Sequence, residues 1–138
     1  MDNDLKREII IDNFKNPNNK GLIDDESYIK EKKASDSCID NFTVQLKLDN
    51  DIIKDIRFDG EACAIATSAI SISIDKLIGK TKKEALNIIN NYLNMIENKD
   101  FDKKLLDELI IYEDISKQPS RTKCATLGIL GIKDLLEK

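Results

Sequence analysis

The stretch Asn41–Leu48 alternates without a break, with Phe42, Val44, Leu46 and Leu48 on one side and Asn41, Thr43, Gln45 and Lys47 on the other. A two-residue period suits only an extended strand with one face buried and one polar. Asp49-Asn50-Asp51 then supplies turn residues, and Ile52–Asp59 resumes with Ile52, Ile56 and Phe58 on a common face. The two runs predict a β-hairpin. With Leu48 opposite Ile52 across a three-residue turn, Asn41 faces Asp59 and Cys38 comes level with Ala62. Tyr28–Lys33 is available as a third strand.

Helical spacing governs the rest. Leu5 pairs with Ile9 and Ile10 with Phe14 at four-residue intervals before Asn16-Pro17-Asn18-Asn19-Lys20-Gly21 stops the helix. A helix runs from Ala62 or Cys63 to about Ile78, where Gly79 takes the C-terminal cap position. Thr81 and Glu84 form a capping-box pair ahead of a buried stripe of Ala85, Ile89, Tyr92, Leu93 and Ile96. Phe101–Tyr112 reads as a further helix or helical turn and Glu113–Pro119 as a loop. The last helix starts near Ser120, with Cys124, Leu127, Gly131 and Leu135 at helical spacing. At 138 residues and 15.7 kDa, with no linker or repeat, the chain reads as one domain over residues 1–138.

Composition removes several classes of function. The 22 Lys and Arg against 26 Asp and Glu leave a net charge of −4, with no overall basic field to gather nucleic acid. The longest uncharged run, Ala62–Ile74, is shorter than the roughly 20 apolar residues that span a bilayer and is broken by hydroxyl residues, so no membrane association is expected. The start Met1-Asp2-Asn3-Asp4-Leu5-Lys6 lacks the pattern of a secretory leader, so a cytoplasmic location is expected.

The chain contains 3 Cys and no His. Any metal would therefore be held by thiolates and carboxylates. The hairpin brings Cys38 and Cys63 to its open end, with Asp40 two residues from Cys38. Cys63 begins a helix, where free N–H groups and the dipole favour an anion. Cys124 lies in the first turns of the last helix beside Arg121 and Lys123, which favour the anion too. If that helix packs at the same corner, three thiols and one carboxylate converge into a plausible tetrahedral zinc set. On the residues alone, isolated Cys read equally well as core fillers and Asp40 as a solvated turn residue.

Phe14-Lys15-Asn16-Pro17-Asn18-Asn19-Lys20-Gly21, Cys38-Ile39-Asp40, Asp59-Gly60-Glu61-Ala62-Cys63 and Arg121-Thr122-Lys123-Cys124-Ala125-Thr126-Leu127 resemble, in order, the four signature segments of the IscU/NifU-like proteins of iron–sulfur cluster assembly. The long segment between Cys63 and Cys124 resembles the extra stretch of the SufU-type branch. Lys123 stands where the scaffold branch carries a His, and Lys117-Gln118-Pro119-Ser120-Arg121 replaces that branch's chaperone-binding segment. Ile39 replaces the family's usual Gly, Ser35-Asp36 its Asn-Pro, and Ala62 its junction Gly.

The resemblance implies an α+β fold, a small antiparallel sheet with helices packed on one face. It implies zinc held by Cys38, Asp40, Cys63 and Cys124. The implied activity is that of a sulfur carrier or sulfurtransferase, taking persulfide sulfur from a SufS-type pyridoxal-phosphate cysteine desulfurase and passing it to downstream iron–sulfur assembly proteins. Cys38 is the expected acceptor, and Arg121 is expected to offset the site's negative charge or contact the persulfide. One alternative is a scaffold that builds an Fe–S cluster on the same cysteines. Another is an inert structural or binding domain in which the cysteines are buried.

Overall fold

The computed structural model describes residues 1–34 and 40–138. Along the chain run α1 (Asn3–Lys15), β1 (Ile29–Ala34), β2 (Asn41–Asp49), β3 (Ile52–Asp59), α2 (Ala64–Leu77), α3 (Lys82–Ile96), three short 3-10 turns (Lys103–Leu105, Asp107–Tyr112, Ile115–Lys117) and α4 (Pro119–Leu136). The strands form an antiparallel sheet in the order β1-β2-β3.

The alternation in β2 has its expected consequence. Phe42, Val44 and Leu46 are fully buried together with Ile56 and Phe58 of β3, and Phe42 meets Phe58 edge-to-face with ring centres 5.5 Å apart. The hairpin register differs from the expectation. Asn50 and Asp51 both take positive φ, 51° and 65°, giving a two-residue turn, and an irregularity between Lys47 and Leu48 shifts the ladder. Asp59 therefore faces Thr43, and the Asn41 N–H donates to the Glu61 carbonyl at 2.9 Å. This close approach explains Gly60. Its φ is 139°, and a Cβ there would lie 2.1 Å from the Asn41 carbonyl oxygen.

The outer edge of β3 is covered rather than left open. Asn19 and Gly21 bond to Phe58 at one end, and Gly79 and Lys80 bond to Ile53 at the other. Gln45 lies on the polar face of β2 yet is fully buried, its amide bonded to both the N–H and the carbonyl of Ile23.

Helix α2 is the buried centre of the helical layer, with Ala66 through Ile74 all buried. Its hydroxyls are partnered: Ser71 with Asn13 and the Asn18 N–H, Ser68 with Tyr112, Ser73 with the Ala69 carbonyl. Helix α4 packs against α2 and against β1 and β2. Two glycines permit the approach, since a Cβ on Gly128 would lie 2.7 Å from Ile70 and one on Gly131 would lie 3.2 Å from Val44. The capping box of Thr81 and Glu84 forms in full at the start of α3. The run Phe101–Tyr112 is not one helix. Asp107 takes φ 47°, which no α-helix continues through, and the segment divides into 3-10 turns. A third such turn, Ile115–Lys117, lies in the stretch expected to be loop.

Candidate metal centre

The strand-to-helix junction that Gly60 makes possible delivers Cys63 to the N-cap of α2, where its sulfur accepts from the Ala66 N–H at 3.4 Å. Asp40, immediately before β2, is 1% exposed. One of its oxygens accepts from the Cys63 backbone N–H at 2.7 Å, and the other lies 3.5 Å from the Cys63 sulfur. Cys124 comes from the second turn of α4 and is also buried. The donor atoms of Asp40, Cys63 and Cys124 all lie within 4.8 Å of one another.

Two thiols and a carboxylate held this close oppose one another as anions. Burial pushes the Cys124 thiol up to about 12, and the neighbouring Cys63 and Asp40 act in the same direction. A dication relieves all three effects at once. The donor set suits zinc, which takes sulfur at about 2.3 Å and carboxylate oxygen at about 2.0–2.2 Å, so that tetrahedral donor separations are about 3.3–3.8 Å. The 3.5 Å between the Asp40 oxygen and the Cys63 sulfur already falls in that range.

The sequence from residue 5 to residue 128 matches the family described as the NifU-like N-terminal domain. The chain belongs to that family. It is 34% identical over 125 residues, 90% of this chain and 84% of the other, to the zinc-dependent sulfurtransferase SufU of Bacillus subtilis. It is 30% identical over 131 residues, 95% of this chain and 92% of the other, to the iron–sulfur cluster assembly scaffold protein IscU of Thermotoga maritima. Among solved structures, that of FiSufU from Fervidobacterium islandicum, described as an iron–sulfur cluster assembly scaffold protein for the SUF system, superposes with a TM-score of 0.84 at 33% identity and covers 94% of both chains.

Within this NifU-like fold, three of the four expected ligand residues stand together. Cys38 and Ile39 lie outside the described residues. Arg121 and Lys123, expected to favour a Cys124 anion, stand exposed on α4, while burial, Cys63 and Asp40 all push the Cys124 thiol up. Arg121 instead lines a groove between α1 and the start of α4.

Sequence reasoning missed two tyrosines that brace the cysteine-bearing helices. Tyr92 of α3 donates to the Ala125 carbonyl at 2.7 Å, one residue beyond Cys124. The Tyr112 hydroxyl is 2.5 Å from that of Ser68 on α2. The rings meet edge-to-face at 6.2 Å, and burial raises both phenols well above the ordinary range. Tyr92 lies on the apolar stripe of α3, where its hydroxyl was the one available sign that it does more than fill space.

Proposed function

We propose that this chain is a zinc-dependent sulfur acceptor of iron–sulfur cluster assembly, loaded by a pyridoxal-phosphate cysteine desulfurase. The observation that carries the reading is the convergence of Asp40, Cys63 and Cys124, three donors of the right chemistry from three different elements. The kinship with a protein named as a zinc-dependent sulfurtransferase points the same way.

Cys38, Asp40, Cys63 and Cys124 are the proposed ligands, and zinc bound by them would hold the thiols as unreactive thiolates. Asp40 has a second task, since its bond to the Cys63 N–H fixes the first turn of α2 against the start of β2. Cys38 is the proposed acceptor. Once free of other bonds, its thiolate attacks the terminal sulfur of the partner's persulfide. A new S–S bond forms at Cys38, the partner's S–S bond breaks, and the partner's cysteine leaves as a thiolate with no net oxidation or reduction. The chain has no His to take a vacated ligand position, so the substitute comes from the partner.

A cognate desulfurase should release alanine faster in the presence of the zinc-loaded chain, and Cys38→Ala should abolish the stimulation while zinc remains bound. Equal stimulation by Cys38→Ala overturns the choice of acceptor.

The second reading is a scaffold for an Fe–S cluster on the same cysteines, favoured by the similar identity to the Thermotoga scaffold protein. Metal analysis after purification without added iron separates the two, about one zinc per chain for the first reading and a visible-absorbing iron centre for the second.

A further inference from the structure

The chain has 19 Lys but only 3 Arg. Arg57 is occupied structurally, its guanidinium bonded to the carbonyls of Gly21 and Lys20. The other two, Arg7 on α1 and Arg121 at the start of α4, line the same groove of about 580 Å³. Neither forms an ion pair with a described residue. Lys6, which also lines the groove, is paired with Glu113 and Asp114 at 3.0 and 3.6 Å, and Asp114, itself on the groove wall, also meets Lys117 at 3.3 Å; these two cations and two carboxylates offset one another, which leaves the two guanidinium groups without a carboxylate partner.

Besides these charges and the polar Asn3 and Gln118, the lining is apolar, with Ile10, Ile65, Ile111 and Ile115 contributing. The apolar surface also extends outward along α1, where Arg7, Ile11 and Phe14 follow at i, i+4 and i+7 and the last two are 43% and 45% exposed. At its inner end the groove reaches Ala64 and Ile65, the residues directly after Cys63.

We propose that this groove docks an amphipathic segment of the sulfur-donating partner, with apolar side chains against the isoleucines and carboxylates on Arg7 and Arg121. The inference rests on the acceptor reading for the identity of the partner. Charge complementarity selects the occupant. A chain of net charge −4 repels acidic partners in general, yet it offers here two unpaired guanidinium forks, which suit bidentate carboxylate recognition better than lysine does. An acidic, apolar segment is thereby drawn to one place on the surface, beside the cysteine cluster.

The test uses the zinc-loaded full chain in two arms. In the first, desulfurase stimulation is titrated with the parent, with Arg7→Glu and with Lys83→Glu, an equal charge reversal on the exposed side of α3. Arg7→Glu should raise the half-maximal concentration by about tenfold, with zinc content unchanged and a weaker dependence on salt, while Lys83→Glu should follow the parent. Parent-like behaviour of Arg7→Glu, or an equal loss in Lys83→Glu, overturns the groove and leaves the acceptor reading standing. In the second arm, a fluorescein-labelled helical peptide with leucines on one face and glutamates on the other is titrated against its lysine counterpart. The glutamate peptide should bind the parent and lose about tenfold in affinity with Arg7→Glu. Equal binding of both peptides, or no effect of Arg7→Glu, contradicts the proposal. If the parent stimulates no desulfurase, the acceptor reading falls, and the peptide arm alone decides the groove.

Discussion

Asp40 does two things at once: its carboxylate faces the Cys63 and Cys124 sulfurs, and it holds the Cys63 N–H at 2.7 Å. The two roles separate by substitution. Asp40→Asn keeps an oxygen for the N–H but removes the charge, so it should fold normally yet bind zinc at least about tenfold more weakly. Asp40→Ala should bind zinc weakly and also lose about 1–3 kcal/mol, because the buried N–H loses its acceptor. Competition with a chromogenic chelator and thermal melts read the two effects. Zinc binding by Asp40→Asn as tight as the parent's would remove the carboxylate from the ligand set. At this scale the sequence was informative about residue types and weaker on surroundings. The absence of His and the positions of Cys63 and Cys124 pointed to a thiolate and carboxylate centre. Arg121 and Lys123 stand exposed on the same helix, and neighbours in sequence do not say what packs against the Cys124 thiol. Burial dominates there, and Cys63 and Asp40 from other elements act in the same direction.

Among the elements, the positions of α2 and α4 determine how far apart the two described cysteines stand. Tyr92 ties α4 to α3, Tyr112 ties α2 to the segment before α4, and the two rings pack together. Tyr92→Phe and Tyr112→Phe should each cost about 1 kcal/mol in chemical denaturation. The double variant should depart from additivity, since the rings are in contact. Strict additivity with no change in zinc affinity would reduce both residues to ordinary core packing. The hairpin and the α3 capping box were legible because each depends on local chemistry, an alternation of period two and a Thr with a Glu three residues on. The hairpin register was not legible, since Asn50 and Asp51 both adopt positive φ and the ladder shifts at Lys47/Leu48. The apolar residues of Phe101–Tyr112 suit an α-helix and 3-10 turns alike, and the break comes from the backbone of Asp107.

For the whole molecule, the proposed centre ties the start of β2 to the N-terminal ends of α2 and α4. Structural zinc sites carry apparent binding energies of about 10–16 kcal/mol, comparable with the 5–15 kcal/mol or so that stabilises a whole domain. Strong chelation should therefore lower the melting temperature by many degrees, and readdition of zinc should restore it. An unchanged melt after verified metal loss would leave the fold independent of the site. The same architecture explains why the centre was only partly readable from the chain. The hairpin brings its own ends together, a relation visible in the pattern of β2 and β3. The approach of α4 depends on Gly128 and Gly131 fitting against Ile70 and Val44, a long-range match that no local pattern announces. No helix among the described residues is long and apolar enough to cross a membrane, in keeping with the composition.

The most direct test of the central claim is to locate the transferred sulfur. The zinc-loaded chain would be mixed with a cognate desulfurase for a single turnover, quenched, digested and analysed by mass spectrometry. The account predicts one added sulfur on the peptide that carries Cys38, with the peptides of Cys63 and Cys124 unmodified. Sulfur on Cys63 or Cys124, or no sulfur on any cysteine while the desulfurase has turned over, would contradict it.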